Sequence, residues 1–380
     1  MIHSIKRLVF VSLLLLISGQ VLLAQNNIFS TYSPVCDTCS HNLNFRFEGS
    51  SFFQNNEYFD KFAYGLTEIG IYVQPTLEYY FSPKLRVNAG FFALKYSGLH
   101  HFQQIIPVFS IQYKAAKPLE IVFGKIYGTL NHGLAQPLYR YDRFITDHVN
   151  YGMQFLLNTK NIKSDLWLHW VHFVQFGDSL PERLEVGNNT RFTLFKNDHF
   201  SVGLPVQFLF SHRGGQIEPG PHYIATIFNG LTGLIFKYSF NSFSSLQIQP
   251  LIAYYNALNL PNPGDPGYQL FKSGYGIYPK ILYRFHHHLN IMTAYWHGHK
   301  FIAPEGEYLF QSVSEIHPNY SEAIRNLWVS RVWYQKTIGK YLNLEVRLST
   351  YYDLHRKHMD YSYAFYMIIN QDFFLAKYRH

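Results

Sequence analysis

Between Leu342 and Tyr352 the chain reads LNLEVRLSTYY. Leu342, Leu344, Val346 and Leu348 alternate with Asn343, Glu345, Arg347 and Ser349. A period of two is that of a β-strand with one apolar face and one polar, charged face. The pattern recurs along the chain. Leu43, Phe45 and Phe47 alternate with Asn44, Arg46 and Glu48; Ile69, Ile71 and Val73 with Glu68, Tyr72 and Gln74; Leu119, Ile121 and Phe123 flank Glu120. No long window keeps a helical period. Composition then narrows what such strands can build. Aromatics reach 18% and charged residues only 15%, while the mean hydropathy is −0.11. Strands of this kind fit lipid on one face and water on the other.

The connections between strands sort into two classes. Short ones lie near 82–84, 115–118, 160–163, 197–198, 241–243, 286–288 and 338–340. Long ones lie near 55–64, 97–101, 128–148, 177–183, 213–222, 259–272, 301–325 and 355–360. They alternate, so short turns gather at one end of the strands and long loops at the other. The spacing predicts an all-β fold: a transmembrane antiparallel β-barrel of about 16 strands with short periplasmic turns and long extracellular loops. The apolar face of 342–352 then meets lipid, and Asn343, Glu345 and Arg347 point inward. Pro75, Pro107, Pro205, Pro250 and Pro279 fall inside strands, where a missing donor is awkward, and bulges are the expected remedy.

Lys6 and Arg7, the apolar run Leu8–Ile17 and Ala24 read as a signal peptide over 1–24. The expected organisation is then an N-terminal periplasmic segment over 25–40 and the barrel over 41–380. Cys36 and Cys39, in CDTC, read as a small local disulfide in an exported chain. The formal charge of +8 comes from Lys and Arg scattered singly, which argues against nucleic acid as a partner.

The whole mature chain resembles a bacterial outer-membrane β-barrel of the porin-like type, and the LLAQ signal end and Tyr/Phe-rich strands resemble those of the Bacteroidota. The resemblance is one of architecture. It implies an outer-membrane location in a Gram-negative cell, outer-membrane lipids and the barrel-assembly machinery as partners, and it allows a homotrimer. It also implies a channel for passive diffusion of small polar solutes, and hence no enzyme. Two alternatives stand beside the channel: a lipid-modifying outer-membrane enzyme, and a barrel partner in export or assembly of surface polysaccharide.

Strand parity assigns Arg46, Arg86, Arg191, Lys280, Arg284, Arg331, Glu345 and Arg347 to the lumen wall, a mixed and slightly basic lining. The third long loop, Gly128–His148, is rich in aromatics and charge. The resemblance to porins implies that it folds inward and narrows the lumen through Tyr139, Arg140, Tyr141, Asp142, Arg143 and Asp147. G-x-S-x-G, H-E-x-x-H and P-loop motifs are absent, so no catalytic residue and no cofactor is assigned. His297 and His299 share a strand face, and His286–His288 fall in a turn, but neither group completes a ligand set, so no metal is assigned. His172, between Trp170 and Val174, reads as a residue at the membrane interface.

Overall fold

The computed structural model describes residues 28–217, 224–265, 268–286 and 288–378. The stretch read as a signal peptide, and His287 within the histidine turn, lie outside them. Alternating residues form β1 (Asn42–Glu57), β2 (Leu66–Ser82), β3 (Leu85–Tyr96), β4 (Gln104–Ala116), β5 (Leu119–Lys125), β6 (Tyr151–Asn158), β7 (Ile162–His172), β8 (Arg183–Lys196) and β9 (Phe200–Arg213). The sheet continues through β10 (Ala225–Gly233), β11 (Ile235–Ser239), β12 (Ser245–Asn259), β13 (Ser273–Phe285), β14 (Leu289–His299), β15 (Ile324–Ile338), β16 (Leu342–Asp353) and β17 (His358–Lys377). All pairings are antiparallel, and β1 pairs with both β2 and β17, so the sheet closes. β10 and β11 keep one register against β9 and β12 and form a single crossing, which makes 16 crossings. Closure leaves no backbone edge in the hydrocarbon, where an unpaired donor or acceptor would be costly.

No register shift falls at any of the five prolines. Pro250 lies opposite Pro279, Arg191 opposite Pro205 and Phe91 opposite Pro107, in unbroken register. The bulges expected there are absent because a proline forfeits one ladder bond without changing the residue count. The break between β10 and β11 is where two prolines act together. It lies beside Pro205 on one neighbour and Pro250 on the other, and only glycine fits at 233, where φ is +151 and a Cβ would sit 2.1 Å from the Pro250 carbonyl oxygen. The last expected long loop is also short: β16 and β17 are joined by a four-residue turn at 354–357.

On β16 the side chains of Glu345, Ser349, Tyr351 and Asp353 are buried, while Val346, Leu348 and Tyr352 are exposed on the outer wall. Leu348 lies near the middle of the strand, whereas Leu344 is close to the periplasmic turn. Leu348→Arg is therefore expected to cost about 2–4 kcal/mol of barrel stability in bilayers, and Leu344→Arg about 0–1 kcal/mol. Urea unfolding in vesicles reads the difference, and equal losses would contradict the assigned depth.

The interior is packed. The loop after β5 carries a 3-10 turn at Thr129–Asn131 and one α-helical turn at Arg143–Thr146. Its Ala135 N–H donates to Gln207 on β9 (2.9 Å), and its Gln136 amide donates to the Tyr351 hydroxyl on β16 (2.7 Å). A loop that reaches both walls lies inside the barrel. The loop after β14 joins it, burying Phe301, Ile302, Leu309 and Phe310 against Leu138, Trp296 and Tyr351. At the periplasmic end, Thr31–Val35 lies against the inner wall. The Ser33 carbonyl accepts from Arg86 (3.0 Å), Gln112 (3.2 Å) and the Tyr127 hydroxyl (3.1 Å), and the Val35 N–H donates to Glu120 (3.3 Å). Cys36 and Cys39 form a disulfide just outside this contact. Much of the lumen, which the porin resemblance implied to be an open channel, is thus occupied by the chain's own segments.

Candidate functional site

The residues assigned to the lumen wall separate into three groups. Arg46 pairs with Glu48 (2.7 Å) and Asp372 (2.9 Å) and also donates to the Thr31 carbonyl (2.6 Å). Arg86, fully buried, donates to Gln112 (2.6 Å) and to the hydroxyls of Tyr127 (2.7 Å) and Tyr80 (3.1 Å). These two hold the N-terminal segment in place. Arg331 and Arg347 lie 4.5 and 5.2 Å from the ring of Tyr141 on the inserted loop, and Arg347 pairs with Glu345. Lys280 lies 5.7 Å over Tyr278, whereas Arg191 is exposed at the far end of β8 and Arg284 stands near the periplasmic end of β13. Within the inserted loop, Arg140 pairs with Asp142 (3.1 Å), and Arg143 lies 4.5 Å over Tyr139 and pairs with Asp147. Arg46, Arg86, Arg331 and Arg347 are thus engaged with the chain's own inner segments or with neighbouring wall residues.

Arg143 marks a partition. It donates to Glu185 on β8 (2.8 Å) and pairs with Glu305 of the loop after β14. On one side of this bridge lies a cavity of about 460 Å³ beneath the extracellular rim, at the ends of β7 to β10. Strand register builds its floor. Glu185 stands opposite His169 on β7 and opposite Ser211 on β9, so a histidine, a carboxylate and a hydroxyl form one cross-strand row. Directly opposed side chains on adjacent strands lie within reach of one another. His169 Nδ1 is 3.8 Å from Glu185 Oε2, and its Nε2 is 3.4 Å from the Asn150 amide.

Several polar atoms here are buried without a hydrogen-bond partner among the described residues: Ser211 Oγ, Glu185 Oε2, Glu182 Oε2, Arg213 Nε and His172 Nε2. Buried polar groups are normally paired, so unpaired ones beside a cavity are open to a partner that enters it. His212 differs: its ring nitrogens are engaged by Thr226 Oγ1 and the Gly214 carbonyl (both 2.8 Å), which makes it a support for the rim. Arg183 and Arg213 supply positive charge, and Leu180, Leu184 and Ile227 an apolar wall. The loop after β7 adds an apolar lip, with Phe173, Phe176 and Leu180 exposed, Phe176 at 90%. Sequence reading had placed His172 at the membrane interface; it lines this cavity at the rim. Ser211, Glu185 and His169 were not joined in that reading. Register across three strands is invisible in a linear string.

On the other side of the partition, burial, reinforced by the nearby Asp142 carboxylate, pushes the Glu307 carboxyl up to about 7. The folded pKa lies above the usual carboxylate value, so the fold favours the protonated form. This contribution is fully present below about pH 4.3 and is lost as pH rises through about 7. Glu307→Gln is therefore expected to raise the melting temperature at pH 8 relative to the parent, with little change at pH 4. An identical difference at both values would contradict the burial of a neutral Glu307.

The fold and the rim cavity together define an outer-membrane barrel with segments folded into its lumen and a polar pocket under an apolar lip. The chain belongs to the lipid A 3'-O-deacylase-type family, whose model matches residues 35–378. No curated protein matches the chain. Among solved structures it is similar to OprD of Pseudomonas aeruginosa (9% identity, TM-score 0.51, covering 91% of this chain and 100% of that one). It is also similar to OmpT of Vibrio cholerae lacking loop L8 (9% identity, TM-score 0.51, 87% of this chain and 100% of that one). At such identity the likeness is one of barrel architecture alone. Family membership overturns both the expectation of a passive channel for small polar solutes and the expectation that the chain is not an enzyme. The structure is consistent with this: Arg46, Arg86 and Arg331, which a pore would present to water, here hold the N-terminal segment and the inserted loop.

Proposed function

We propose that the protein is an ester hydrolase of the outer membrane that removes the 3'-linked acyl chain of lipid A, working at the rim cavity. The observation that carries this reading is the His169–Glu185–Ser211 row beneath an apolar lip at the extracellular ends of the strands. An ester hydrolase needs a nucleophile, a group to take its proton and a site for the developing oxyanion. Ser211 Oγ adds to the acyl carbonyl as Glu185 takes its proton. The C–O bond to the sugar breaks, and the sugar oxygen leaves with that proton. Water then attacks the acyl-serine as Glu185 takes its proton, the bond from the acyl carbon to Ser211 Oγ breaks, Oγ recovers that proton, and a free fatty acid departs. His169 orients Glu185, and the guanidinium of Arg213 stabilises the negative charge that forms on the carbonyl oxygen. Phe173, Phe176 and Leu180 give the acyl chains an apolar path from the outer leaflet, and Arg183 suits a phosphorylated headgroup.

The reading carries other assignments with it. The first 24 residues act as a cleaved signal peptide, Thr31–Val35 closes the periplasmic end, and the substrate is itself an outer-membrane lipid. Aromatic-rich strands and the LLAQ signal end support an origin in the Bacteroidota. The test is direct. Purified protein in vesicles containing lipid A is incubated, and the lipid is examined by mass spectrometry. Loss of one acyl chain from the 3' position is expected. Unchanged lipid mass with the barrel shown to be folded would overturn the proposal.

A further inference from the structure

The second cavity, of about 340 Å³, lies across the Arg143 partition from the rim pocket, between the inserted loop and the inner faces of β1, β2 and β15 to β17. Its volume falls within the range of small-ligand sites. Its mouth is marked by Tyr64 and Leu66 at the extracellular β1–β2 connection, both strongly exposed.

The lining combines three features. Tyrosine rings come from Tyr58, Tyr141, Tyr308, Tyr351 and Tyr366, with Arg140 over Tyr308, Arg331 and Arg347 over Tyr141, and Arg347 near Tyr366. Amides come from Gln54, Asn56 and Gln136, groups that both donate and accept. The charges nearly cancel: Arg140, Arg331 and Arg347 stand against Glu68, Asp142, Glu307 and Glu315, which gives 3 − 4 = −1 if all are ionised. The arginines are also committed. Arg331 donates to Ser349 (2.9 Å) and Gln136 (2.8 Å), Arg140 pairs with Asp142 (3.1 Å), and Arg347 donates to Glu345 (2.7 Å). A phosphate or carboxylate would have to displace these partners and approach four acids. A divalent cation would need a cluster of ligating side chains, and no group of three or more is present among the described residues. What remains is an uncharged ring with many hydroxyls, whose C–H groups meet the tyrosine rings and whose O–H groups exchange with the amide, hydroxyl and carboxylate bonds already made there, at no cost in unpaired charge.

We infer that this cavity is a binding site for a neutral saccharide presented from the cell exterior, separate from the hydrolytic pocket and not dependent on the reading of that pocket. Asn56 lies at the inner end of the mouth and Ala364, nearly fully buried, faces the cavity from β17. The experiment uses the full chain in a zwitterionic detergent that carries no sugar, with maltose, lactose and N,N'-diacetylchitobiose as probes and glucose 6-phosphate as the charged control. Saturation-transfer NMR and calorimetric titration are expected to show binding of at least one neutral probe, with the phosphorylated sugar at least roughly tenfold weaker. Asn56→Ala and the cavity-filling Ala364→Phe are each expected to weaken binding by about tenfold or more, with barrel folding checked by heat-dependent gel mobility. Ser211→Ala is expected to bind as the parent does, which separates this site from the hydrolytic one. Three results would each overturn the inference: no neutral probe binds, the phosphorylated sugar binds best, or folded Asn56→Ala binds like the parent.

Discussion

Ser211→Ala is expected to lower release of fatty acid from lipid A by at least about 10³-fold, and Glu185→Gln by about 10²–10⁴-fold, with both barrels still folded. In the proposed reaction the hydroxyl and the carboxylate, opposite one another on β8 and β9, act on the same proton. For that reason the double variant should be no slower than the slower single one, because residues that work as a unit do not lose activity additively. His169→Gln, which alters a residue touching Glu185 and not the substrate, should lower turnover less and shift the pH profile. Mass spectrometry of lipid A after timed incubation gives all four rates. Full activity in folded Ser211→Ala would remove Ser211 from the chemistry.

Arg143→Met is expected to destabilise the folded protein by about 3–5 kcal/mol, the usual cost of removing one partner from a buried ion pair. The reason lies in its position. Its guanidinium serves Glu185 and Glu305, both nearly fully buried, and also Asp147. Without it, two carboxylates lose their main cation in a place where water cannot replace it. Arg183 reaches Glu305 at 3.4 Å and offsets part of the loss. Arg140→Met should cost far less, about 0–1 kcal/mol, because its pair with Asp142 is partly open to solvent. Urea unfolding in vesicles distinguishes the two, and equal effects would show that Arg143 is not the bridge between the inserted loops.

Arg143 also illustrates how far the sequence could be read. The composition of Gly128–His148 pointed to a loop turned inward, since an exposed loop has little use for Tyr139, Tyr141 and Phe144 together. What it turned toward was not legible. Arg143 meets Glu185 and Glu305 only because the loop crosses a closed barrel, and those residues are distant in sequence. The loop after β14 carried a weaker hint, the apolar residues of FIAPEGEYLF, and the inward path of Thr31–Val35 carried almost none.

The barrel itself was determined by the sequence. Lipid on one face and protein or water on the other impose a period of two, and that period survives in any string of residues long enough to cross a membrane. Connection lengths then fix which ends of the strands lie together. The contents of the barrel were decided by tertiary structure alone. Inward-facing Arg46, Arg86, Arg331 and Arg347 look the same in sequence whether they line water or hold a plug. The difference arises from which backbone carbonyls, rings and carboxylates are brought beside them when the sheet closes. The row His169–Glu185–Ser211 follows the same rule: it exists only in the register between strands, set by the closure of the whole sheet.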